Sequence, residues 1–380
     1  MDNKVESKAL NDPWETLPPL QKRSLRRSSP FRLLFQRGKL FSKLLEYRFT
    51  GRKRPIVANL FVTGACNLTC EYCYAGDDPD KAYTVDDWLK IIDYLCDKGV
   101  RMFTLVGGEP LLYKHLDRII NHLYDKNVVS DLCSNGYLVP KNIEILKKIS
   151  QLFISVDGCK ETHDFIRGEG SWQKAIEAIA CARNENIPVR VNFTITKNNL
   201  DQLDWIMGLC ERYDTVVTFT PIFEPREDLK EASDKKMWMT KESAQSFFRE
   251  LRQEKLRSNR ITNSLESIEY FLGYPKKHLR DIILKTDPES SYYEKPCSYG
   301  SFQYHFTNTG EVVPCGVLWN RPDLFKPKSV LTDGIEDSIK HASCLECQCC
   351  SFANLVDWNS ITTLPWFWNG LKFTLNQAFG

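Results

Sequence analysis

Apolar runs alternate with amphipathic stretches between residues 56 and 225, and this alternation predicts the fold. Six short apolar runs have the length of buried strands, and a stretch with apolar residues three and four positions apart follows each of the first five. The predicted strands are 56–62, 102–106, 128–133, 152–156, 189–196 and 215–222, and the predicted helices are 85–98, 114–125, 141–149, 171–186 and 200–212. Alternation of this kind predicts an α/β fold, here a partial (β/α)6 TIM-like barrel over residues 55–225.

The segments on either side of the predicted barrel have other patterns. Residues 1–54 hold 14 Lys or Arg against 5 Asp or Glu, and helical spacing of their apolar residues predicts a pair of basic amphipathic helices. Such helices are typical of peripheral contact with an anionic membrane, but we favour the alternative that they cap the bottom of the barrel. Residues 226–290 predict a charged helical connector, residues 291–355 a small cysteine-rich domain, and residues 356–380 an aromatic tail.

Composition narrows the class of protein. The 380 residues include 51 basic and 49 acidic side chains, so no global charge favours nucleic acid as a partner. No apolar run reaches the length of a membrane-spanning helix, and the first residues lack the layout of a secretory signal. We therefore expect a cytoplasmic protein, with the inner membrane surface as its one candidate membrane contact. In a reducing cytoplasm, its 14 cysteines indicate metal ligation more than disulfides.

Three of these cysteines, Cys66, Cys70 and Cys73, follow the first predicted strand directly, with three and then two residues between them. Three thiolates on one loop can hold three corners of a four-iron cluster and leave one iron open to an outside ligand. A structural zinc site, a disulfide and chance are the alternatives. Zinc usually takes four protein ligands, and the nearest histidine, His115, lies far along the chain.

Further polar residues stand where the predicted strands end, which is where sites gather in such barrels. Gly107-Gly108-Glu109 follows the second strand; its glycines allow close approach of a ligand, and its carboxylate can accept hydrogen bonds from an ammonium group. Ser134 ends the third strand in a Ser-Asn-Gly sequence that turn chemistry also explains. On the fifth strand, the period of two places Asn192, Thr194 and Thr196 on one face. We expect that face to be the inner one, where ribose or carboxylate groups could be contacted.

The three-cysteine spacing, with the aromatic Tyr72 before the last cysteine, resembles the radical S-adenosylmethionine (radical SAM) family. The Gly-Gly-Glu sequence and the stretch from Ser155 and Asp157 to His163 and Arg167 resemble the same family. The resemblance implies a [4Fe-4S] cluster on the three cysteines, with SAM on its open iron and the SAM amine at residues 107–109. It also implies reductive cleavage of SAM to a 5′-deoxyadenosyl radical that abstracts hydrogen from a substrate. Candidate cofactor contacts are Tyr72, Gly107, Gly108, Glu109, Ser134, Ser155, Asp157, Asn192 and Thr194, while His163 and Arg167 are expected to brace the loop.

Six cysteines lie between residues 297 and 350. Asn308-Thr-Gly310 between two apolar runs predicts a hairpin that brings Cys297 and Cys315 together, and Cys344 with Cys347 offers a second pair of thiolates. Spacing alone allows either zinc or an iron–sulfur cluster. The pattern resembles the SPASM and twitch domains of radical SAM enzymes, and the shorter twitch form implies one auxiliary [4Fe-4S] cluster. Cys297, Cys315, Cys344 and Cys347 are its expected ligands, and Cys349 or Cys350 could replace either of the last two.

The family resemblance implies an enzyme that takes electrons from a ferredoxin- or flavodoxin-type donor. Many relatives with such a C-terminal domain mature ribosomal peptides, often with an extra N-terminal domain that grips a leader peptide. The basic residues 1–54 do not resemble such a domain, so we expect a non-peptide substrate, either a small molecule or a lipid-like one. A peptide maturase is the first alternative. The second is a non-catalytic iron–sulfur scaffold or electron carrier, which would have no need of an amine site at residues 107–109.

Overall fold

The fold was taken from a computed structural model of the chain. The structure describes residues 17–20, 30–52, 54–73, 83–222, 237–275, 283–292, 297, 299–319, 324–343, 347–350 and 357.

Six parallel strands form the centre of the molecule. They are β1 (Val57–Thr63), β2 (Met102–Gly107), β3 (Val129–Ser134), β4 (Gln151–Ser155), β5 (Val189–Ile195) and β6 (Val216–Pro221). These strands lie side by side in chain order, and every pair is parallel. All six predicted strands are confirmed to within two residues at each end, and the mostly parallel sheet confirms the α/β partial barrel.

Helices cover one face of this sheet. They are α2 (Val85–Lys98), α3 (Leu116–Asp125), α4 (Ile143–Leu146), α5 (Lys160–Arg167), α6 (Ser171–Asn184) and α7 (Leu203–Arg212). Helix α2 starts where predicted because Thr84 and Asp87 form a reciprocal capping box, and it ends at Gly99 in the left-handed conformation. Two predictions need correction. The helix expected over 141–149 is a 3-10 turn and the four residues of α4, since Pro140 opens a tight turn. Helix α5 was not predicted.

The basic N-terminal segment forms one continuous helix, α1 (Pro30–Thr50), rather than the predicted pair. Gly38 lies in its middle and does not break it, because apolar positions on both sides share one face. Leu44 packs on Ile56, Val57 and Phe302 at the start of β1. The Arg32 guanidinium stacks 3.6 Å from the ring centroid of Tyr124, at the end of α3. Helix α1 therefore lies at the amino ends of the strands, as expected for a cap on the bottom of the barrel.

The C-terminal half extends the same sheet. After α8 (Lys241–Arg257), α9 (Leu265–Gly273) and β7 (Ile283–Leu284) come β8 (Gln303–Phe306), β9 (Glu311–Val313), α10 (Gly316–Trp319), β10 (Lys328–Ser329), α11 (Val330–Asp333), α12 (Ile335–Ala342) and β11 (Cys347–Cys349). Strand β8 pairs with β1 in parallel, and β8 and β9 form the predicted antiparallel hairpin. This hairpin is hydrogen-bonded to the barrel through β1. Among the described residues, no helix is long and apolar enough to cross a membrane.

Candidate active site

The loop of Cys66, Cys70 and Cys73 begins where β1 ends. Within the loop, the Cys73 amide donates to the Cys70 carbonyl at 3.0 Å, and the Leu68 amide donates to the Cys66 sulfur at 3.4 Å. The Glu71 amide donates to the carbonyl of Ile166 in α5 at 3.1 Å. The loop is therefore held both by itself and by the helix that follows β4.

The three thiols lie close enough to influence one another. Burial and neighbouring Cys73 raise the pKa of Cys66, and burial together with Cys73 raises that of Cys70 to about 11 although Arg167 opposes it. A thiolate is the metal-binding form, so a positively charged group bound between the sulfurs would displace their protons. Among the described residues, no three His, Cys, Asp or Glu side chains converge on a position for a single ion. A four-iron cluster takes one thiolate on each iron, so its ligands need not converge, and the loop fits such a cluster.

The Gly-Gly-Glu sequence packs directly against this loop. The Gly108 amide donates to the Thr63 carbonyl at 2.9 Å, and the Glu109 amide donates to the Ala65 carbonyl at 2.8 Å. A Cβ atom on Gly108 would lie 2.3 Å from the Ala65 carbonyl oxygen, which explains why glycine is needed there. Two sequences about 40 positions apart thus form one backbone unit at the ends of β1 and β2.

The Glu109 carboxylate is fully buried beside this unit. Its oxygens accept hydrogen bonds from the Leu111 amide at 3.1 Å, the Asn135 amide at 2.7 Å and the Ser134 hydroxyl at 3.2 Å. Burial nevertheless raises its pKa to about 7, and among the described residues no basic side chain contributes to its pKa. A cationic ligand group at this position would therefore stabilise the ionised carboxylate.

Asn135 links the carboxylate to the cysteine loop. Its side-chain amide nitrogen lies 3.9 Å from the Cys66 sulfur and donates to the Asn67 side-chain oxygen at 2.9 Å. The sequence analysis named Ser134 of the Ser-Asn-Gly sequence as a candidate cofactor contact, with turn chemistry as the alternative, and gave Asn135 no role. The one sequence feature that indicated a role for Asn135 was its position directly after a predicted parallel strand.

A second cluster of polar side chains surrounds Asp157, which is fully buried at the end of β4. The Arg167 Nε donates to Asp157 Oδ2 at 2.6 Å, and the Tyr72 hydroxyl donates to the same oxygen at 2.7 Å. The Thr194 amide donates to the other carboxylate oxygen at 3.0 Å. Arg167 also donates to the Tyr72 hydroxyl, and its Nη1 lies 4.0 Å from the Cys70 sulfur. We call Tyr72, Asp157 and Arg167 the Arg167 network.

The Arg167 network joins the cysteine loop to β4, α5 and β5. His163 contributes a further contact, since its Nδ1 accepts the Asp157 amide at 3.1 Å, and burial lowers the His163 pKa to about 4. These contacts agree with the bracing role expected of His163 and Arg167. Both Asp157 carboxylate oxygens are occupied by protein donors, so its direct contact with a cofactor or substrate stays a prediction.

The remaining polar candidates face away from the helix layer. Along β5, the residues at 189, 191, 193 and 195 are buried, while Asn192 and Thr194 are partly exposed on the other face. Ser155 of β4 lies opposite Asn192 in the strand register. This inner face also carries Asp131 and Arg190. The sequence therefore placed Asn192 and Thr194 on the correct face, whereas Thr196 lies buried just beyond the strand.

Three cysteines of the second group, Cys297, Cys315 and Cys350, influence the buried Tyr299. Cys315 is buried, Cys297 is partly buried, and burial together with Cys297, Cys315 and Cys350 raises the Tyr299 pKa far above its ordinary range. The Tyr270 hydroxyl fixes the position of Cys350 by donating to its carbonyl at 2.9 Å. Cys344 lies outside the described residues, and Cys347 and Cys349 are described by their backbone in β11 alone. Cys297, Cys315 and Cys350 thus each influence the same buried tyrosine, and Cys350 is one of the two replacements that the sequence analysis allowed for Cys344 or Cys347. The ligand set of this group stays a prediction.

His305 of β8 lies between the two cysteine regions and was not predicted. Its Nε2 and the side-chain nitrogen of Asn59 in β1 are 3.0 Å apart, and its ring centroid is 6.0 Å from that of Tyr299. Burial lowers its pKa to about 3, so the ring is neutral at physiological pH. A lone histidine in an apolar run gives no sequence signal for this position.

Comparison with known proteins gives three kinds of similarity. Residues 60–209 match the model of the radical SAM superfamily. Over 162 residues the chain is 31% identical to the sporulation killing factor maturation protein SkfB of Bacillus subtilis. This alignment covers 41% of this chain and 40% of SkfB. Over 265 residues it is 27% identical to the AdoMet-dependent heme synthase of Methanosarcina barkeri, covering 68% of this chain and 75% of the synthase.

Among solved structures, Streptococcus suis SuiB bound to precursor peptide SuiA superposes with a TM-score of 0.61 at 16% identity, over 94% of this chain and 81% of SuiB. At this identity the similarity is one of fold. The chain spans less than half of SkfB, the relative with the higher sequence identity of the two.

Proposed function

Since residues 60–209 form a domain of the radical SAM superfamily, we propose that the chain reductively cleaves SAM to a 5′-deoxyadenosyl radical and abstracts hydrogen from a non-peptide substrate. The observation that carries this proposal is the contact between the three-cysteine loop and the Gly-Gly-Glu sequence. Two backbone hydrogen bonds of 2.8 and 2.9 Å make this contact. Enzymes of this superfamily use a [4Fe-4S] cluster, SAM and an external electron donor, here of ferredoxin or flavodoxin type.

The candidate residues have different proposed roles. Cys66, Cys70 and Cys73 hold the cluster, and Glu109, a buried carboxylate on which no basic side chain acts among the described residues, binds the amine of SAM. Ser155, Asn192 and Thr194, together with Ser134, provide polar contacts at the strand ends. The Arg167 network keeps the loop at a fixed place relative to these contacts.

Cys297, Cys315 and Cys350 hold an auxiliary [4Fe-4S] cluster, with a fourth ligand from Cys344, Cys347 or Cys349. The electrostatic influence of all three cysteines on the buried Tyr299 supports this set. Complete ligation by cysteine suits electron relay or a structural role.

The inner face of the barrel supports a small polar substrate. Arg190, whose guanidinium carbon lies 5.0 Å from the Phe153 ring centroid, and Asp131 provide opposite charges near one another on that face. Such a pair suits a substrate, or the head group of a lipid-like one, that carries its own charged groups. A peptide maturase is the second candidate, favoured by the similarity to SkfB and by the fold shared with peptide-bound SuiB.

The test begins with anaerobic reconstitution, iron counting, and incubation with SAM and dithionite. About eight irons per chain and release of 5′-deoxyadenosine are expected for two four-iron clusters. The Cys66→Ala/Cys70→Ala/Cys73→Ala variant should lose nucleoside release and about half of the iron, while Cys133→Ala should keep both. Iron without any SAM cleavage would refute the proposal in favour of an iron–sulfur scaffold.

The substrate class is tested by deuterium transfer. Extracts of cells grown in deuterated medium are separated into small-molecule, lipid and peptide fractions, and each is incubated with the enzyme and unlabelled SAM. Deuterated 5′-deoxyadenosine from the small-molecule or lipid fraction is the expected result. Deuterium transfer from the peptide fraction alone would establish the maturase instead.

A further inference from the structure

The outward side of α1 carries an unusual concentration of exposed apolar side chains. Eight large hydrophobic side chains are exposed among the described residues, and four of them are on this helix: Phe31 at 76%, Phe35 at 54%, Leu45 at 37% and Phe49 at 84%. Its opposite side is buried through Leu33, Gln36 and Leu44. Helix α1 is therefore amphipathic in an unusual sense, because it has an apolar face toward the barrel and a second one toward solvent.

The exposed apolar residues form one line along the helix. At about 100° per residue, Phe31 and Phe49 point the same way, and Phe35 and Leu45 lie within about 40° on either side. We call these four residues the outer stripe. It is about 27 Å long at 1.5 Å per residue. Exposed Gly38 and Ser42 lie on the same line in the middle of the helix, so the stripe consists of two apolar pairs, Phe31 with Phe35 and Leu45 with Phe49. Exposed large apolar side chains concentrated on one line of a helix mark a contact with another apolar phase.

Cationic side chains border the outer stripe on both sides. Lys39 and Arg48 are exposed and lie about 80–100° from the line of Phe31 and Phe49, on opposite sides, and exposed Arg52 follows the helix. Residues 30–52 include six basic side chains (Arg32, Arg37, Lys39, Lys43, Arg48 and Arg52) and one acidic side chain, Glu46. Glu46 is already paired with Lys43 and Arg54. The surface around the stripe is therefore positive.

From these observations we infer that the outer stripe binds an anionic membrane surface, with its aromatic side chains among the acyl chains and its cationic borders at the lipid phosphates. Charge complementarity selects this occupant, since anionic lipids attract juxtaposed Lys and Arg side chains. The shape agrees, because a single convex helix with aromatic residues on one line and cations at the edges is the arrangement of interfacial helices.

The position of α1 fixes how the enzyme would sit on the membrane. The helix packs at the amino ends of the strands, while the cysteine loop follows the carboxyl end of β1. Six residue steps of β1 separate the two ends by about 20 Å at 3.3 Å per residue. The membrane contact is thus an attachment site, and the cysteine loop lies at the end of the sheet that faces away from the bilayer.

The test is sedimentation of the reconstituted protein with vesicles of phosphatidylcholine alone or mixed with phosphatidylglycerol. We expect at least tenfold stronger binding to the mixed vesicles and a marked weakening in 0.5 M salt. Phe35→Ser/Phe49→Ser should weaken binding tenfold or more, and Lys39→Gln/Arg48→Gln should remove most of the preference for anionic lipid. Leu256→Ser, at a position equally exposed on α8 (60%), is the matched control and should bind like the wild type.

Several results would overturn the inference. These are the absence of binding to mixed vesicles, equal binding to both kinds, or unchanged binding of Phe35→Ser/Phe49→Ser. Self-association that the same two substitutions abolish, without vesicle binding, would assign the stripe to a second copy of the chain. Since sedimentation requires no SAM cleavage, it tests the attachment site independently of the proposed reaction. Release of 5′-deoxyadenosine should be the same on vesicles and in solution.

Discussion

Removal of the Arg167 charge should destabilise the barrel strongly, because it leaves Asp157 buried without its cation. The Arg167 side chain is 9% exposed, Asp157 is fully buried, and Nε and Oδ2 are 2.6 Å apart. Breaking a buried ion pair by removing one partner costs about 3–5 kcal/mol. For a unit of 150–250 residues, each kcal/mol lowers the melting temperature by about 2–4 °C, so Arg167→Met should lower it by about 10 °C.

The double variant Asp157→Asn/Arg167→Met separates this mechanism from a simple loss of packing. Asparagine keeps an acceptor for the Thr194 amide and removes the uncompensated charge. The double variant should therefore be more stable than Arg167→Met alone. Arg183→Met is the matched control, since Arg183 is similarly buried at 11% exposed, but its partner Asp214 is 52% exposed and also pairs with Arg260, so no buried charge is left unpaired.

The assay is thermal unfolding of the anaerobically reconstituted protein, followed by circular dichroism, together with its iron content. Arg167→Met should also hold less iron, because Arg167 contacts Tyr72 and lies near Cys70 on the cysteine loop. The reasoning would be refuted if the single and double variants melted at the same temperature, or if Arg167→Met melted no lower than Arg183→Met.

Three further predictions test other parts of the site. The pKa of Glu109 is raised to about 7 from 4.5 by burial, so its contribution to stability is full below pH 4.5 and is lost as pH rises through 7. For the ligand-free protein this loss is about 3 kcal/mol. The free energy of unfolding in urea should therefore change by about 3 kcal/mol less between pH 5 and pH 8 in Glu109→Gln than in the wild type. A Cβ on Gly108 would lie 2.3 Å from a backbone oxygen, so Gly108→Ala should reduce both iron content and melting temperature, whereas Gly38→Ala, with nothing within 4 Å, should stabilise α1 by up to about 1 kcal/mol. Cys350→Ala should remove the auxiliary cluster and leave SAM cleavage detectable, as judged by iron counting against Cys133→Ala; an unchanged iron count would exclude Cys350 as a ligand.

The sheet could be predicted from sequence because its signals are local. Each strand is a short apolar run, and each parallel neighbour is separated from it by an amphipathic stretch. The end of α2 was also local, since Thr84, Asp87 and Gly99 carry its caps. Helix α5 was not predicted because six of its eight side chains are charged or polar, which leaves too few apolar ones for a visible period.

The site was predictable only in part, because its decisive contacts join distant positions. The cysteine spacing and the Gly-Gly-Glu sequence are visible as motifs, but their two backbone hydrogen bonds exist only once β1 and β2 are paired. The contact of Asn135 with Cys66 spans 69 positions, and that of Arg167 with Tyr72 spans 95. The hydrogen bond from the Tyr270 hydroxyl to the Cys350 carbonyl likewise depends on tertiary packing that cysteine spacing does not encode.

Parallel pairing separates the two functional surfaces of this chain. Because every strand from β1 to β6 runs the same way, the cysteine loop, the Gly-Gly-Glu sequence and the Arg167 network lie at the carboxyl end of the sheet and α1 lies at the other. Substitutions on the outer stripe therefore alter no contact within the active site, and substitutions in the Arg167 network leave the stripe in place. Changes at distant, independent sites add in their effects on stability. Phe35→Ser combined with Arg167→Met should thus show the membrane defect of the first and the stability defect of the second, without coupling between them.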